Sequence, residues 1–213
     1  MMNPNDIPGW INQRHQERLM ETLINHKPQR ILEIGCGYGR STVTILNHMP
    51  DTAVLHTVDT YRHLDPRKFA KKHFKGYKRR GLAMSPALTE NIHLMQQLGQ
   101  RGFWEHITAQ HPRRQSVTAH EMTSVQYIQQ YQDRAYDMVY LDGDHAYSTV
   151  KQELQHYADT PILCGDDWGP VHPEVTRAVD EFRLNCVDRV WTPPGPHPRT
   201  GQLQGFWSLT KTV

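Results

Sequence analysis

Cysteine is scarce in this chain: three copies among 213 residues, Cys36, Cys164 and Cys186, odd in number, widely spaced and in no C-x-x-C pair. That excludes a disulfide framework and a paired-cysteine zinc site, and it fits a reducing compartment. No apolar run approaches the length of a membrane span, and Met1 to Trp10 is polar and punctuated by proline, unlike a secretion signal. A soluble, cytoplasmic protein with no membrane partner is expected. Internal repeats and low-complexity segments are also missing.

A strong excess of one charge is lacking too, since 24 Lys+Arg against 22 Asp+Glu leave a net charge of +2. The balance hides a local asymmetry. Between Arg62 and Arg80 nine Lys/Arg face the single Asp65, a segment charge of +8 that leaves −6 on the remainder. A nucleic-acid-binding domain usually spreads its basic stripe over the folded surface. Here basicity is confined to one insertion-like stretch, so nucleic acid is not the expected partner, although Phe69, Phe74 and Tyr77 interleave the cations as a stacking surface would.

What is present alternates between strand and helix patterns, as a doubly wound α/β sheet demands. Trp10 to His26 reads as a leading helix with Leu19 and Leu23 at i, i+4. Val54 to Val58 is an apolar strand, and Leu88, Ile92 and Met95 share a face of a helix over Ala87–Leu98 that Gly99 and Gly102 end. Val117–Met122 and Tyr136–Leu141 read as strands, with helices at Ser124–Tyr131 and around Val150, Leu154 and Tyr157. Pro161–Gly165 is a further strand, followed by a helix with Val175, Val179 and Phe182 on one face. Asp188–Trp191 and Gly205–Leu209 form a terminal hairpin. The length suits one domain, 1–213, with a basic insertion at about 62–116. Within it Asp65 and Pro66 make a helix start, and Ala70, Phe74 and Tyr77 at i, i+4, i+7 leave Lys71, Lys72, Lys75 and Lys78 solvated.

The most informative run is Ile31 to Ser41, ILEIGCGYGRS. An apolar strand runs through Glu33 into a turn with glycines at 35, 37 and 39, and a helix opens at Ser41 and Thr42. This arrangement aims bare backbone N–H groups and a positive helix end at a polar ligand. A dinucleotide fingerprint, G-x-G-x-x-G, would need glycine where Arg40 stands, so a nicotinamide or flavin fold fits poorly. Asp59, at the end of the next strand, is placed to bind two ribose hydroxyls.

Two further strand ends are acidic. LDGDHAY puts Asp142 at a tip with His145 three residues on, and CGDDW puts Asp166 and Asp167 beside it. Parallel neighbours lie about 4.8 Å apart, so these carboxylates can converge. Three crowded carboxylates call for a cation, and hard oxygen ligands suit Mg²⁺ or another divalent ion rather than zinc. The plainer reading makes Asp142 or Asp144 a helix cap.

The E-x-G-x-G-x-G spacing of Glu33, Gly35, Gly37 and Gly39, with Asp59 in register, resembles the class I S-adenosylmethionine-dependent methyltransferases. The resemblance implies a Rossmann-like seven-stranded sheet, mostly parallel with a C-terminal antiparallel hairpin. It places Gly35, Gly39 and Ser41 along the methionine half of the cofactor, Glu33 beneath it and Asp59 on the ribose, with Cys36 and Gly37 also among the cofactor-binding residues. LDGDHAYSTVKQEL, CGDDW, AVDEF and the terminal GFWSLTK resemble the metal-dependent O-methyltransferases of macrocin, mycinamicin and cephamycin pathways, and more distantly catechol O-methyltransferase. That branch implies a metal on Asp142, Asp166 and Asp167 and a general base at His145, with Asp142 also bordering the cofactor. The expected reaction is methylation of a small-molecule hydroxyl, with a vicinal diol, sugar or catechol favoured because adjacent oxygens chelate a metal, and with an anionic acceptor suggested by the basic stretch. An N-methyltransferase would carry an Asn/Asp-Pro-Pro-Tyr type turn where this chain has Asp-Gly-Asp-His, and a methyltransferase-like RNA-binding module remains the reading from another class. The resemblance does not reach Arg62–Ser116, and homo-oligomerisation stays open.

Overall fold

The computed structural model describes residues 2–62, 64–132, 135–196 and 201–212; His63 of the basic stretch and residues 197–200 of the tail connection lie outside them. Seven strands form one sheet: β1 (Arg30–Ile34), β2 (Val54–Asp59), β3 (Val117–Glu121), β4 (Met138–Leu141), β5 (Ile162–Trp168), β6 (Arg189–Thr192) and β7 (Gly205–Lys211). Their spatial order is β3-β2-β1-β4-β5-β7-β6. The first five run parallel, while β7 lies antiparallel to both β5 and β6. This is the Rossmann-like, mostly parallel sheet with a C-terminal antiparallel hairpin that the resemblance implied. Strand order reverses between β1 and β4, and the crevice above such a switch point is where open α/β sheets bind ligands.

The helices are α1 (Gln13–His26), α2 (Arg40–His48), α3 (Pro66–Arg79), α4 (Pro86–Ala109), α5 (Ser124–Gln130), α6 (Tyr147–His156) and α7 (Pro173–Leu184). Alternation along the strands sorts the core into two layers. Ile31, Leu55, Met138 and Tyr140 pack with Leu19 and Leu23 of α1, Leu46 of α2 and Trp104 of α4. Leu32, Ile34, Val139 and Leu163 pack on the other face with Leu154 of α6 and Val179 of α7.

Several boundaries differ from the sequence reading. The leading helix starts at Gln13, not Trp10, because the Asn12 side chain accepts from the His15 N–H and caps it. β5 extends to Trp168, so Asp166 and Asp167 belong to the strand itself. The largest difference is beyond Gly99, which does interrupt the helix, at φ 73°, ψ −177°: a second helical segment follows the kink and runs through Gly102 to Ala109. Only glycine adopts such a conformation without strain, and the kink redirects Phe103, Trp104 and Ile107 into buried positions.

The stretch between β2 and β3 is helical and has its own apolar core. Phe69 and Ala70 of α3 and Ile92, Met95 and Phe103 of α4 pack with Ile7 and Tyr38. Asp65 accepts from the Arg67 and Lys68 N–H groups and Pro66 occupies the first turn, the start the sequence implied. Arg40 has a structural task. Its guanidinium donates to the Ile7 and Ile11 carbonyls at 2.6 and 3.0 Å and fastens the N-terminal segment over α2. Burial lowers its pKa to about 10, still far above neutrality.

Candidate active site

The glycine turn is held by its neighbours on both sides. Gly35 N–H donates to the Val58 carbonyl of β2 and Asp142 N–H to the Ile34 carbonyl, each at 2.8 Å. A Cβ on Gly35 would lie 2.0 Å from the Asp142 carbonyl oxygen, so only glycine lets the ends of β1 and β4 approach this closely. Gly37 N–H donates to Asp59 Oδ2 at 2.9 Å, and Asp59 Oδ1 accepts from Tyr61 N–H at 2.6 Å and from Gln100 Nε2 at 3.3 Å. The acid at the tip of β2 is therefore bound to the glycine loop. Cys36 is buried with its thiol toward the Tyr61 hydroxyl at 3.3 Å, and Gly39 caps α2 beneath Trp104.

Glu33 is wholly buried. The Thr42 hydroxyl donates to its Oε2 at 2.7 Å, and Trp104 Nε1–H donates to Thr42 Oγ1 at 3.2 Å. Burial pushes its pKa to about 7, the hydroxyls of Ser41 and Thr42 pull it down, and the charge of Asp59 pushes it up. Among the described residues its Oε1 has no hydrogen-bond partner, and neither do the buried hydroxyls of Thr57 on β2 and of Thr60 just beyond it. Buried polar atoms without partners are rare in folded proteins. A polar ligand or water above β1 and β2 would satisfy them, which fits a nucleoside cofactor at this edge.

On the other side of the switch point, Tyr140 hydroxyl donates to Asp142 Oδ2 at 3.2 Å. Asp142 is pushed well above the ordinary carboxyl range by burial and by the charges of Asp166, Asp167 and Glu33, with Tyr140 acting against them. Asp144 precedes α6 and accepts from Ala146 N–H and the Thr149 hydroxyl, both at 3.0 Å, while Ala146 occupies the N-cap without a side-chain cap bond. Asp166 is buried, with Oδ2 3.0 Å from His15 Nδ1 and Oδ1 accepting its neighbour's N–H. The His15 ring passes over Gly205, where a Cβ would meet it at 2.1 Å.

Asp167 sits in the left-handed region at φ 65°, at the irregularity in β5 pairing between Gly165 and Trp168. Such strain in a non-glycine residue gathers at functional sites. Its Oδ2 lies 2.8 Å from His145 Nε2 and its Oδ1 3.4 Å from His172 Nε2. Burial raises the Asp167 pKa, but the His145 hydrogen bond and the charges of His145, His172 and His15 outweigh it and hold the carboxyl low. The same hydrogen bond lifts the His145 imidazole above 6.5 against the effect of burial.

Among the described residues, His145, Asp167 and His172 each offer one ligand atom within 4.8 Å of the others. Of the three carboxylates singled out in the sequence, Asp167 belongs to this triangle, while Asp166 is engaged by His15 and Asp142 by Tyr140. His172, five residues beyond Asp167, joins the site without belonging to either acidic motif. His15 and Gln100 carried no signal, because only folding brings α1 and the middle of α4 to the strand ends.

A family described as a methyltransferase domain matches residues 32–161. No curated protein sequence is significantly similar to the chain. Solved structures share the fold at low identity. One, from Klebsiella pneumoniae and provisionally assigned as an O-methyltransferase, has 16% identity and a TM-score of 0.64 over 98% of this chain and 87% of its own. TomG of Streptomyces achromogenes, the O-methyltransferase of tomaymycin synthesis solved with S-adenosylmethionine, has 17% identity and a TM-score of 0.57 over 96% and 82%. An O-methyltransferase from Bacillus cereus solved with S-adenosylhomocysteine has 12% and 0.58 over 95% and 83%.

Proposed function

The chain belongs to the methyltransferase domain family, and on that premise we propose that it is an S-adenosylmethionine-dependent O-methyltransferase acting on a small-molecule hydroxyl with the help of a divalent cation. The observation that carries the reading is the His145–Asp167 pair, 2.8 Å apart at the ends of β4 and β5, on the far side of the switch point from the glycine loop. S-adenosylmethionine bound along β1 and β2 would supply an electrophilic methyl group. Gly35, Cys36, Gly37, Gly39 and Ser41 would line its amino-acid half above Glu33, and Asp59 would take its ribose hydroxyls.

In this reading Asp142, Asp166 and Asp167 would hold the cation, and its charge would relieve what burial, followed by the charges of Asp166, Asp167 and Glu33, does to Asp142; of the three, Asp167 already stands in the cluster with His145 and His172. A divalent ion held there would lower the pKa of an acceptor hydroxyl. With Nε2–H given to Asp167, His145 would take the acceptor's proton on Nδ1, and Asp167 would fix that tautomer and steady the imidazolium. Trp168, Pro170, Pro173, Arg177, Gln202 and Leu203 line an adjoining pocket of about 420 Å³, within the size range of small-ligand sites, which would take the body of the acceptor. A vicinal diol, sugar or catechol suits a chelating site, and the cations of α3 suit an acceptor carrying phosphate or carboxylate. Free cysteines fit a cytoplasmic setting, and no helix among the described residues is long and apolar enough to cross a membrane.

A second reading rests on the His145, Asp167 and His172 triangle: a nitrogen-rich set suits a transition metal or zinc and would make His145 a ligand instead of a base. Methyl transfer from labelled S-adenosylmethionine to a panel of hydroxyl acceptors, before and after chelation, tests both. Loss on chelation with recovery in Mg²⁺, and loss in Asp167→Asn with cofactor affinity kept, supports the first. Recovery in Zn²⁺ alone, abolished by His172→Ala, supports the second. Full activity in chelator with Asp167→Asn unimpaired refutes metal dependence altogether.

A further inference from the structure

Gln100 is 5% exposed and stands immediately after the Gly99 kink, where α4 changes direction. Its amide touches three parts of the cofactor end at once. Nε2–H donates to the Gly37 carbonyl and to Asp59 Oδ1, both at 3.3 Å, and Oε1 accepts from Leu64 N–H at 3.1 Å. Leu64 precedes α3, its carbonyl accepts from the Tyr38 hydroxyl at 3.4 Å, and its side chain is the nearest group to the open side of Gly37. One buried side chain therefore ties the glycine loop, the acid at the tip of β2 and the chain leading into the basic helix. A buried amide saturated in this way fixes the geometry of its partners, because leaving any of them unpaired in the interior is costly.

We propose that Gln100 is a positioning residue for the cofactor, holding Asp59 against the glycine loop and linking occupation of the ribose site to the ordering of α3. This rests on the reading that Asp59 takes the ribose hydroxyls. Asp59 already accepts from Gly37 N–H at 2.9 Å and Tyr61 N–H at 2.6 Å, so the 3.3 Å bond from Gln100 is the longest of the three and the one that adjusts when hydroxyls arrive. Gln100 keeps its hold on Leu64 meanwhile, and α3 feels the change.

The test uses S-adenosylhomocysteine as probe, calorimetry for affinity and hydrogen exchange for α3. The variants are Gln100→Met, a near-isostere without polar atoms, Gln100→Glu, which keeps the acceptor for Leu64 N–H but loses both donations, and Asp59→Ala. In the parent protein the probe should slow exchange across residues 64–79. Gln100→Met should raise Kd about tenfold and abolish that protection, and Gln100→Glu, which still holds Leu64 but no longer Asp59, should raise Kd at least as much and abolish it too. Added to Asp59→Ala, Gln100→Met should cost much less than alone, as residues acting through one another do. If Asp59→Ala weakens binding but Gln100→Met binds as tightly as the parent with α3 still protected, the role of Gln100 is refuted. A fall in thermal stability with Kd and protection unchanged in the folded protein refutes it equally. If Asp59→Ala leaves Kd unchanged, the ribose reading itself fails and takes the proposal with it.

Discussion

Glu153 offers a sharp test of the electrostatics around the site. It lies on α6, is 1% exposed, borders the narrow cavity shared with Asp142 and His145, and its Oε1 has no hydrogen-bond partner among the described residues. Burial raises its pKa from 4.5 to about 7, the Ser124 hydroxyl works downward and the charge of Asp144 upward. The folded protein thus keeps a proton that the unfolded chain releases near 4.5. The group's contribution to stability is complete below 4.5, declines as pH rises, and is gone above about 7. At about 1.36 kcal/mol per pKa unit, the shift from 4.5 to about 7 corresponds to about 3 kcal/mol. Glu153→Gln keeps the shape and cannot ionise. Urea unfolding of both proteins at a series of pH values should show the variant gaining on the parent by about 3 kcal/mol between these limits and holding that gain above them. Because both proteins share every other titrating group, the difference isolates this carboxyl. Parallel stability curves across that pH range would show that Glu153 is ionised in the folded state at little cost, and the account of its burial would be wrong.

Asp59→Ala should weaken S-adenosylhomocysteine binding by about 1.5–3 kcal/mol, the range for hydrogen bonds to a charged group, measured by calorimetry; tight NAD⁺ binding with none of the adenosylated ligand would overturn the cofactor assignment. His145→Ala should lower turnover about 10²–10⁴-fold with cofactor affinity intact, checked by steady-state kinetics on any acceptor found. Reversing Lys71, Lys72 and Lys75 to Glu should raise the KM of an anionic acceptor and flatten its salt dependence, whereas identical kinetics would make α3 a solvated surface. In limited proteolysis α3 should be cut in the free protein and protected by cofactor plus acceptor.

Local chemistry made much of this protein legible before folding. The glycine spacing from Glu33 to Gly39 marks a strand, turn and helix because backbone freedom and helix polarity are properties of neighbours in sequence, and the close approach at Gly35 gives that spacing its steric reason. The acids at Asp59, Asp142 and Asp167 were readable because strands that begin as apolar runs end where polar residues begin. The α3 start was readable from Asp65 and Pro66 for the same local reason.

Tertiary structure decided what those residues face. Asp166 and Asp167 are adjacent in sequence and alike in chemistry, yet the irregular backbone of β5 sends one to His15 of α1 and the other to His145 and His172. Gly99 looked like the end of a helix, since propensity sees only an unfavourable residue. The buried packing of Phe103 and Trp104 stabilises a second segment beyond it, and that segment brings Gln100 to Asp59. Contacts of this kind depend on where two distant pieces of chain meet, and no local pattern encodes that. The sequence determined which groups could bind and react; burial and the meeting of distant segments determined which are paired and which are charged.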